Sequence, residues 1–217
     1  MKKVQAKLFK AITDEEWNEM EQSKLFTLGN YSKGSIIFHY GEIINTIGIV
    51  IEGSVNIERV DIEGRRTILS NIPALSVFGE SYALTHSRLM VDATASQNNT
   101  TILFINVDVL ESKKSTAWSN KLKGALLSAA LQKNIVLSNR IFCTTPKTIR
   151  EKVETYLSFE AIKQNSYSFF IPFNREELAD YLSVDRSALS KELGKMEKEG
   201  LIEFGKNHFK LLSSSNF

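Results

Sequence analysis

The chain has 217 residues, enough for one large domain or two ordinary ones with a substantial core. Hydrophobic residues make up 42% and charged residues 24%, the composition of a folded globular protein. The 27 Lys+Arg against 25 Asp+Glu leave a formal charge of only +2, so charge alone points to no polyanionic partner. The single cysteine, Cys143, excludes an intramolecular disulfide and any zinc or iron–sulfur centre built from several thiolates of one chain; His39, His86 and His208 lie far apart, with no close metal-ligand spacing.

The most apolar stretches, Ile47–Ile51 and Ala125–Leu131, fall far short of the roughly 20 residues of a membrane-crossing helix. Met1-Lys2-Lys3 is followed by Asp14, Glu15 and Glu16 before any apolar run, so no signal peptide is predicted. The expected compartment is the cytoplasm, with no membrane partner.

The first predicted element is a short helix. Thr13-Asp14-Glu15-Glu16 is a capping box, and Trp17 and Met20 follow on one side at helical spacing. From about Lys24 to Ile105 short β-rich runs recur: Ser35–Tyr40, Ile47–Ile51, Ser54–Val60, Thr67–Asn71, Met90–Ala95 and Thr101–Ile105. Gly34, Gly41, Gly53, Gly64 and Gly79 punctuate them, and Asp61-Ile62-Glu63-Gly64 reads as a hairpin tip. Many short strands separated by glycine turns predict a barrel or sandwich.

A long helical region is expected from roughly Val107 to Arg140. Leu122, Leu126, Ala129 and Ala130 form one stripe, and Leu127, Leu131 and Ile135 an adjacent one, extended by Val136, Leu137 and Ile141. An apolar face this wide suits a helix packed on two sides, by the β-rich region and by a partner subunit; the alternative, a core helix of a monomer, explains the width less well. Thr145-Pro146 then reads as a break and restart, with Thr145 as N-cap of a helix running to about Ile162. The predicted domains are residues 1–118, 119–145 and 146–217.

The segment Asn174–Leu193 carries the most functional information. Asn174 with Glu177 predicts one capped helix start, and Asp185 predicts another. Ser183-Val184-Asp185 makes a tight connection between the two helices. Leu178, Ala179, Leu182, Val184, Leu189 and Leu193 are placed for two crossed helices to share a core, with Ala179 small enough for close approach. This is a helix-turn-helix pattern. Arg186, Ser187, Ser190, Lys191 and Lys195 lie on the opposite face of the second helix, where side chains reach base edges in a DNA major groove. Arg175 at the start of the first helix is a further candidate DNA contact. Leu201–Phe204 and His208–Leu212 read as two strands around Gly205-Lys206-Asn207, the wing of a winged helix, with Lys206 placed to meet phosphate. Residues 146–217 hold 11 Lys+Arg and 11 Asp+Glu, so the signal is local order rather than net charge.

With these elements in place, the sequence resembles the Crp/Fnr superfamily of bacterial transcription regulators over nearly its whole length. Tyr31–Phe38 with Gly41-Glu42 look like the opening of the family's β-roll, and Ile51–Val55 like its next strand pair. Phe78-Gly79-Glu80 is similar to the start of its phosphate-binding cassette, and Val184–Leu193 to its recognition helix. The resemblance implies an α+β chain: an N-terminal β-roll effector domain (a double-stranded β-helix of cupin-like form), a long dimerisation helix and a C-terminal winged helix-turn-helix. It implies a homodimer on a palindromic double-stranded DNA site, with RNA polymerase as a further candidate partner.

The departures from the family pattern bear on the effector. Cyclic-nucleotide-binding members place Arg-Ser about ten residues after the Gly-Glu pair. Here the ungapped counterparts are Met90 and Val91, one gap gives Leu89 and Met90, and Arg88 lies outside the expected place. A polar Thr-Ser pair on the long helix is matched by Ile135-Val136. The candidate effector residues are therefore Gly79, Glu80, Ser81, Arg88 and Met90, and the expected effector is not cAMP. Glu80 has a second reading, as a brace for the β-roll turn. The clustered cysteines of the iron–sulfur sensors are missing, His86 is a lone candidate haem ligand, and Cys143 near the hinge reads as a small buried residue. The resulting expectation is a regulator rather than an enzyme, since His39 and His86 supply no recognisable metal set. The alternative is a sensory module that acts on a protein partner without sequence-specific DNA binding.

Overall fold

The computed structural model describes residues 3–60, 63, 66–113 and 116–212. The chain divides into two compact units, Met1–Gln132 and Lys133–Phe217.

The first unit opens with helix α1 (Asp14–Gln22), whose start is closed as the sequence predicts. The Thr13 hydroxyl accepts from the Glu16 N–H at 3.2 Å, and Glu16 accepts from the Thr13 N–H at 2.9 Å. Trp17 and Met20 are buried. Two four-stranded antiparallel sheets follow. One has the order β1-β8-β3-β6 and the other β2-β7-β4-β5, with β1 Phe26–Tyr31, β2 Ile36–Phe38, β3 Thr46–Glu52, β4 Ser54–Val60, β5 Arg66–Pro73, β6 Val77–Phe78, β7 Asp92–Ala95 and β8 Thr100–Asn106. Phe38 joins the sheets: its ring lies 5.5 Å from Phe78 and 5.7 Å from Phe104 of the other sheet. Ile47, Ile49, Val55, Ala93, Ile102, Leu103 and Ile105 are buried in the hydrophobic core of this unit. Each fully buried Ile or Leu contributes about 1.5–3 kcal/mol of apolar burial. At Gly48 a Cβ would sit 2.3 Å from the Phe78 ring, so glycine there is what lets β6 lie on β3.

Strands β1, β6 and β9 (Ser168–Phe170) were not anticipated from the sequence pattern. In β1, Phe-Thr-Leu-Gly-Asn-Tyr carries two strand-breaking residue types, yet all six residues pair with β8. The predicted hairpin tip at Asp61, Ile62 and Gly64 lies outside the described residues.

The expected single helical region is two helices. α3 (Val107–Ser112) is capped by Asn106, whose side chain accepts from the Val109 N–H at 3.0 Å, and it ends where Lys113 leaves helical geometry. α4 (Ala117–Thr144) then runs 28 residues. Its first turns bury Trp118, Leu122 and Leu126 on the β-sheet core. Leu127, Leu131, Ile135, Val136, Leu137, Ile141 and Phe142 are all more than half exposed. Among the described residues, no helix is long and apolar enough to cross a membrane.

The second unit packs α5 (Ile149–Gln164), α6 (Arg175–Leu182) and α7 (Arg186–Lys198) with a three-stranded antiparallel sheet of order β10-β11-β9, where β10 is Ile202–Phe204 and β11 His208–Leu211. Helix α5 starts three residues later than the sequence reading placed it. Thr148, not Thr145, is its N-cap, in a reciprocal box with Glu151. The Thr145 hydroxyl instead donates back to the Ile141 carbonyl at 2.7 Å and closes the end of α4. Two local hydrogen-bonding roles compete for such threonines, and here the C-terminal one wins.

Candidate nucleic-acid interface

Helix α6 begins at Asn174, whose side chain accepts from the N–H groups of Glu176 and Glu177 at 2.9 and 3.0 Å; Glu177 accepts from the Asn174 N–H at 2.7 Å. It ends in a Schellman motif. The Val184 N–H donates to the Ala179 carbonyl and the Ser183 N–H to the Asp180 carbonyl, with Ser183 left-handed at φ 54°. Two cations complement this C-terminus: Arg140 donates to the Asp180 carbonyl at 3.4 Å and Lys152 to the Leu182 carbonyl at 3.3 Å.

The turn hands the chain directly to α7. The Asp185 carboxylate accepts from the Ser187 hydroxyl at 2.5 Å and from the Ala188 N–H at 2.9 Å, and these bonds hold it below the usual carboxylate range. Leu189, Leu193 and Met196 are fully buried and face Leu178, Ala179 and Leu182. The opposite side of α7 presents Arg186, Ser187, Ser190, Lys191 and Lys195, all exposed. Among the described residues, the side chains of Arg186, Ser190 and Lys191 make no hydrogen bond, whereas the Ser187 hydroxyl is tied to Asp185 and Lys195 lies 3.4 Å from Glu192. The five predicted α7 residues thus form one solvent-facing stripe.

Lys206 is exposed at the tip of the β10–β11 hairpin. Arg175 is placed differently. Its guanidinium lies over the Phe204 ring at 5.0 Å and the Phe209 ring at 5.6 Å, and its Nη2 donates to the Gly205 carbonyl at 3.2 Å. It is folded onto the wing, apart from the α7 stripe. A cleft of about 520 Å³ runs between the start of α6 and this hairpin, lined by Pro172, Asn174, Arg175, Lys206 and Asn207 among others.

Sequence reasoning missed the ion cluster that fixes α7. Arg150 of α5 donates from Nε to Glu192 at 2.8 Å and from Nη1 and Nη2 to both oxygens of Glu199 at 2.6 and 2.8 Å. This fork–fork geometry raises the Arg150 pKa and holds Glu192 and Glu199 below their ordinary values. The residues are 42 and 49 positions apart in sequence, so no spacing announces them.

In the β-roll, Gly79 (φ 77°) precedes the short helix α2 (Glu80–Thr85), and Glu80 is buried. Ser81 and Met90 are exposed. Arg88 donates to the Gly41 carbonyl at 2.9 Å, on the isolated bridge that pairs Ile43 with Arg88. Leu89, one candidate for the family's arginine position, is buried in the core. His86 ends α2 in left-handed conformation, His39 pairs with the buried Asp92 at 2.7 Å, and His208 contacts Ser168. Among the described residues, no group of His, Cys, Asp or Glu is arranged to hold a metal ion. Cys143 is buried, and that burial pushes its thiol up to about 11, which keeps it protonated and poorly nucleophilic.

Residues 28–115 match the cyclic nucleotide-binding domain family, and residues 151–214 match the Crp-like helix-turn-helix domain. The chain belongs to the Crp/Fnr family. It is a DNA-binding transcription regulator of that type, not an enzyme. This Crp/Fnr regulator is 22% identical to the transcriptional activator protein FnrL of Cereibacter sphaeroides over 204 residues, 89% of this chain and 79% of that one. Its fold is shared with the Thermus thermophilus catabolite activator protein (TM-score 0.50, 21% identity, 94% of this chain and 92% of that one). It is shared also with CprK in complex with OCPA (TM-score 0.61, 14% identity, 90% and 91%).

The Arg150 cluster generates a pH-dependent outcome. Glu192 and Glu199 titrate below their ordinary 4.5, so the stabilisation they give is complete above 4.5 and is lost as pH falls through their folded values. Arg150→Ala should therefore lower the thermal midpoint most near neutrality, and the gap to the unsubstituted protein should close as pH falls below 4.5. Thermal unfolding of both proteins across that range checks it, and a gap that stays constant would show that these carboxylates are not what Arg150 holds.

Proposed function

We propose that this Crp/Fnr regulator binds a palindromic DNA site as a homodimer and is controlled through its β-roll by a small effector other than cAMP. The observation that carries the reading is the α7 stripe. Arg186, Ser187, Ser190, Lys191 and Lys195 are exposed along one side of a helix whose other side is fixed by Leu189 and Leu193. In a major groove, Arg186 at the helix start is placed for a bidentate bond to guanine O6 and N7. Ser187 and Ser190 lie along bases or backbone, Lys191 and Lys195 reach bases or phosphate, and Lys206 grips phosphate from the wing. The alternative, a sensory module that acts only on a protein partner, gives this stripe no task.

The homodimer rests on α4. A helix with Leu127, Leu131, Ile135, Leu137, Ile141 and Phe142 all more than half exposed has an apolar face unsuited to water. A second copy of the same helix covers it and makes a two-fold protein for a two-fold site, with recognition helices about one DNA turn apart. The effector domain, dimerisation helix and DNA-binding domain are assigned to residues 1–118, 119–145 and 146–217, and the protein to the cytoplasm.

The exclusion of cAMP rests on the cassette. Arg88 is committed to the Gly41 carbonyl and Leu89 to the core, while Met90 brings no charge. A cyclic phosphate held there would lack its cationic partner, and a buried uncompensated charge is costly. Gly79, Glu80, Ser81, Arg88 and Met90 remain the residues around which the effector is sought.

Three outcomes follow from this reading. Arg186→Ala should cost about 1–3 kcal/mol per half-site and loosen preference at one base position, whereas Lys206→Ala should weaken all sequences alike. Selection of bound sites from a random DNA pool separates the two, and an unchanged base preference for Arg186→Ala would refute the assignment. Sedimentation at micromolar concentration should find a dimer, and Leu131→Glu with Ile141→Glu should give a folded monomer with weakened DNA binding; a monomeric unsubstituted protein, with and without DNA, rules the homodimer out. Calorimetry should detect no tight, saturable binding of cAMP, and such binding would overturn the effector argument.

A further inference from the structure

We infer that Arg175 is a positioning residue: it sets the place of the wing, and so of Lys206, rather than touching DNA itself. The inference rests on the winged-helix reading and adds a division of labour within it. Arg175 is the first residue of α6, the position from which an exposed arginine would point at a backbone phosphate. Instead its charge is folded back. The planar guanidinium covers the faces of Phe204 and Phe209, one on each strand of the wing, and Nη2 donates to the Gly205 carbonyl at the turn between them. One side chain therefore contacts both strands and the tip of the hairpin.

The other terminal nitrogen is closed off. Nη1 is buried and has no hydrogen-bond partner among the described residues, so its compensation is the π-face of the rings, and a phosphate oxygen cannot reach it without opening the wing. Burial pulls the Arg175 pKa below the usual arginine value, in keeping with a charge withdrawn from water. Lys206 is the next residue after the carbonyl that Arg175 holds, and it is exposed. Fixing Gly205 fixes where that ammonium is presented. Only arginine combines a stacking plane with a fork of donors, so lysine is not an equivalent here.

The test uses the full-length protein in two arms. In the DNA-free protein, Arg175→Ala and Arg175→Lys should both shift the backbone amide resonances of Gly205, Lys206 and Asn207 while leaving those of Leu189 and Leu193 in place. Unmoved wing resonances overturn the inference without reference to DNA. In the second arm, the slope of log affinity against log salt is measured for Arg175→Ala, Lys206→Ala and the double variant. Loss of one phosphate contact lowers the slope by about 0.9 per half-site. If Arg175 acts through Lys206, each single variant and the double variant lose that same amount, and Arg175→Lys does not restore it. A double variant that loses about 1.8 per half-site, or full recovery by Arg175→Lys, means that Arg175 grips its own phosphate, and the inference fails. A normal slope for Lys206→Ala alone would instead overturn the wing's proposed phosphate contact, a separate failure that the DNA-free arm distinguishes.

Discussion

Leu189 lies under α6, and its burial decides which way the rest of α7 faces. A helix has one rotational setting about its own axis once an apolar side chain is locked, and residues three and four positions away then have no choice of direction. With Leu189 and Leu193 against Leu178 and Leu182, the side of α7 that carries Ser187, Lys191 and Lys195 must look into solvent, and Arg186 and Ser190 are exposed at the edge of the buried face. The Schellman motif at Ser183 and the Asp185 cap fix where α7 starts, and Arg150, through Glu192 and Glu199, fixes its far end. Axial rotation, starting point and tilt are thus set by three separate interactions, and of the stripe residues only Ser187 at the cap and Lys195 beside Glu192 take part in them.

The two units solve the problem of burying apolar surface differently. The β-roll closes two sheets on themselves through Phe38, Phe78 and Phe104, so its strands find partners within the chain. Helix α4 is covered in its first turns, where Trp118, Leu122 and Leu126 meet that core, and near its end, where Cys143 is buried in the second unit. Between them Leu127, Leu131, Ile135, Val136, Leu137 and Ile141 are more than half exposed. A helix of this kind is where a single chain is incomplete, and the homodimer proposal follows from that incompleteness.

Much of this was legible in the sequence because the signals are local. Capping boxes at Thr13 and Asn174, the Asp185 cap, the apolar positions of α6 and α7 and the wing strands all depend on residues within about one turn of each other, and the structure has them as read. What escaped depends on partners far along the chain. Strand β1 carries Gly29 and Asn30 and exists because β8 offers a ladder for every residue. The Arg150 cluster spans three segments. Arg175 reads as an ordinary exposed cation at a helix start, and only the convergence of Phe204 and Phe209 turns it inward. The start of α5 was misplaced because Thr145 and Thr148 are both competent caps, and the end of α4 takes the first.

The independence of the α7 stripe from the core has an evolutionary consequence. Arg186, Ser190 and Lys191 are exposed and make no side-chain hydrogen bond among the described residues, so exchanging them has almost no cost in stability, whatever they read under the proposed function. Ser187 differs, because its hydroxyl helps to hold the cap, and a change there touches the start of the helix as well. A scaffold of this kind tolerates exchange at Arg186, Ser190 and Lys191 more readily than at Ser187, whose loss would loosen the cap as well.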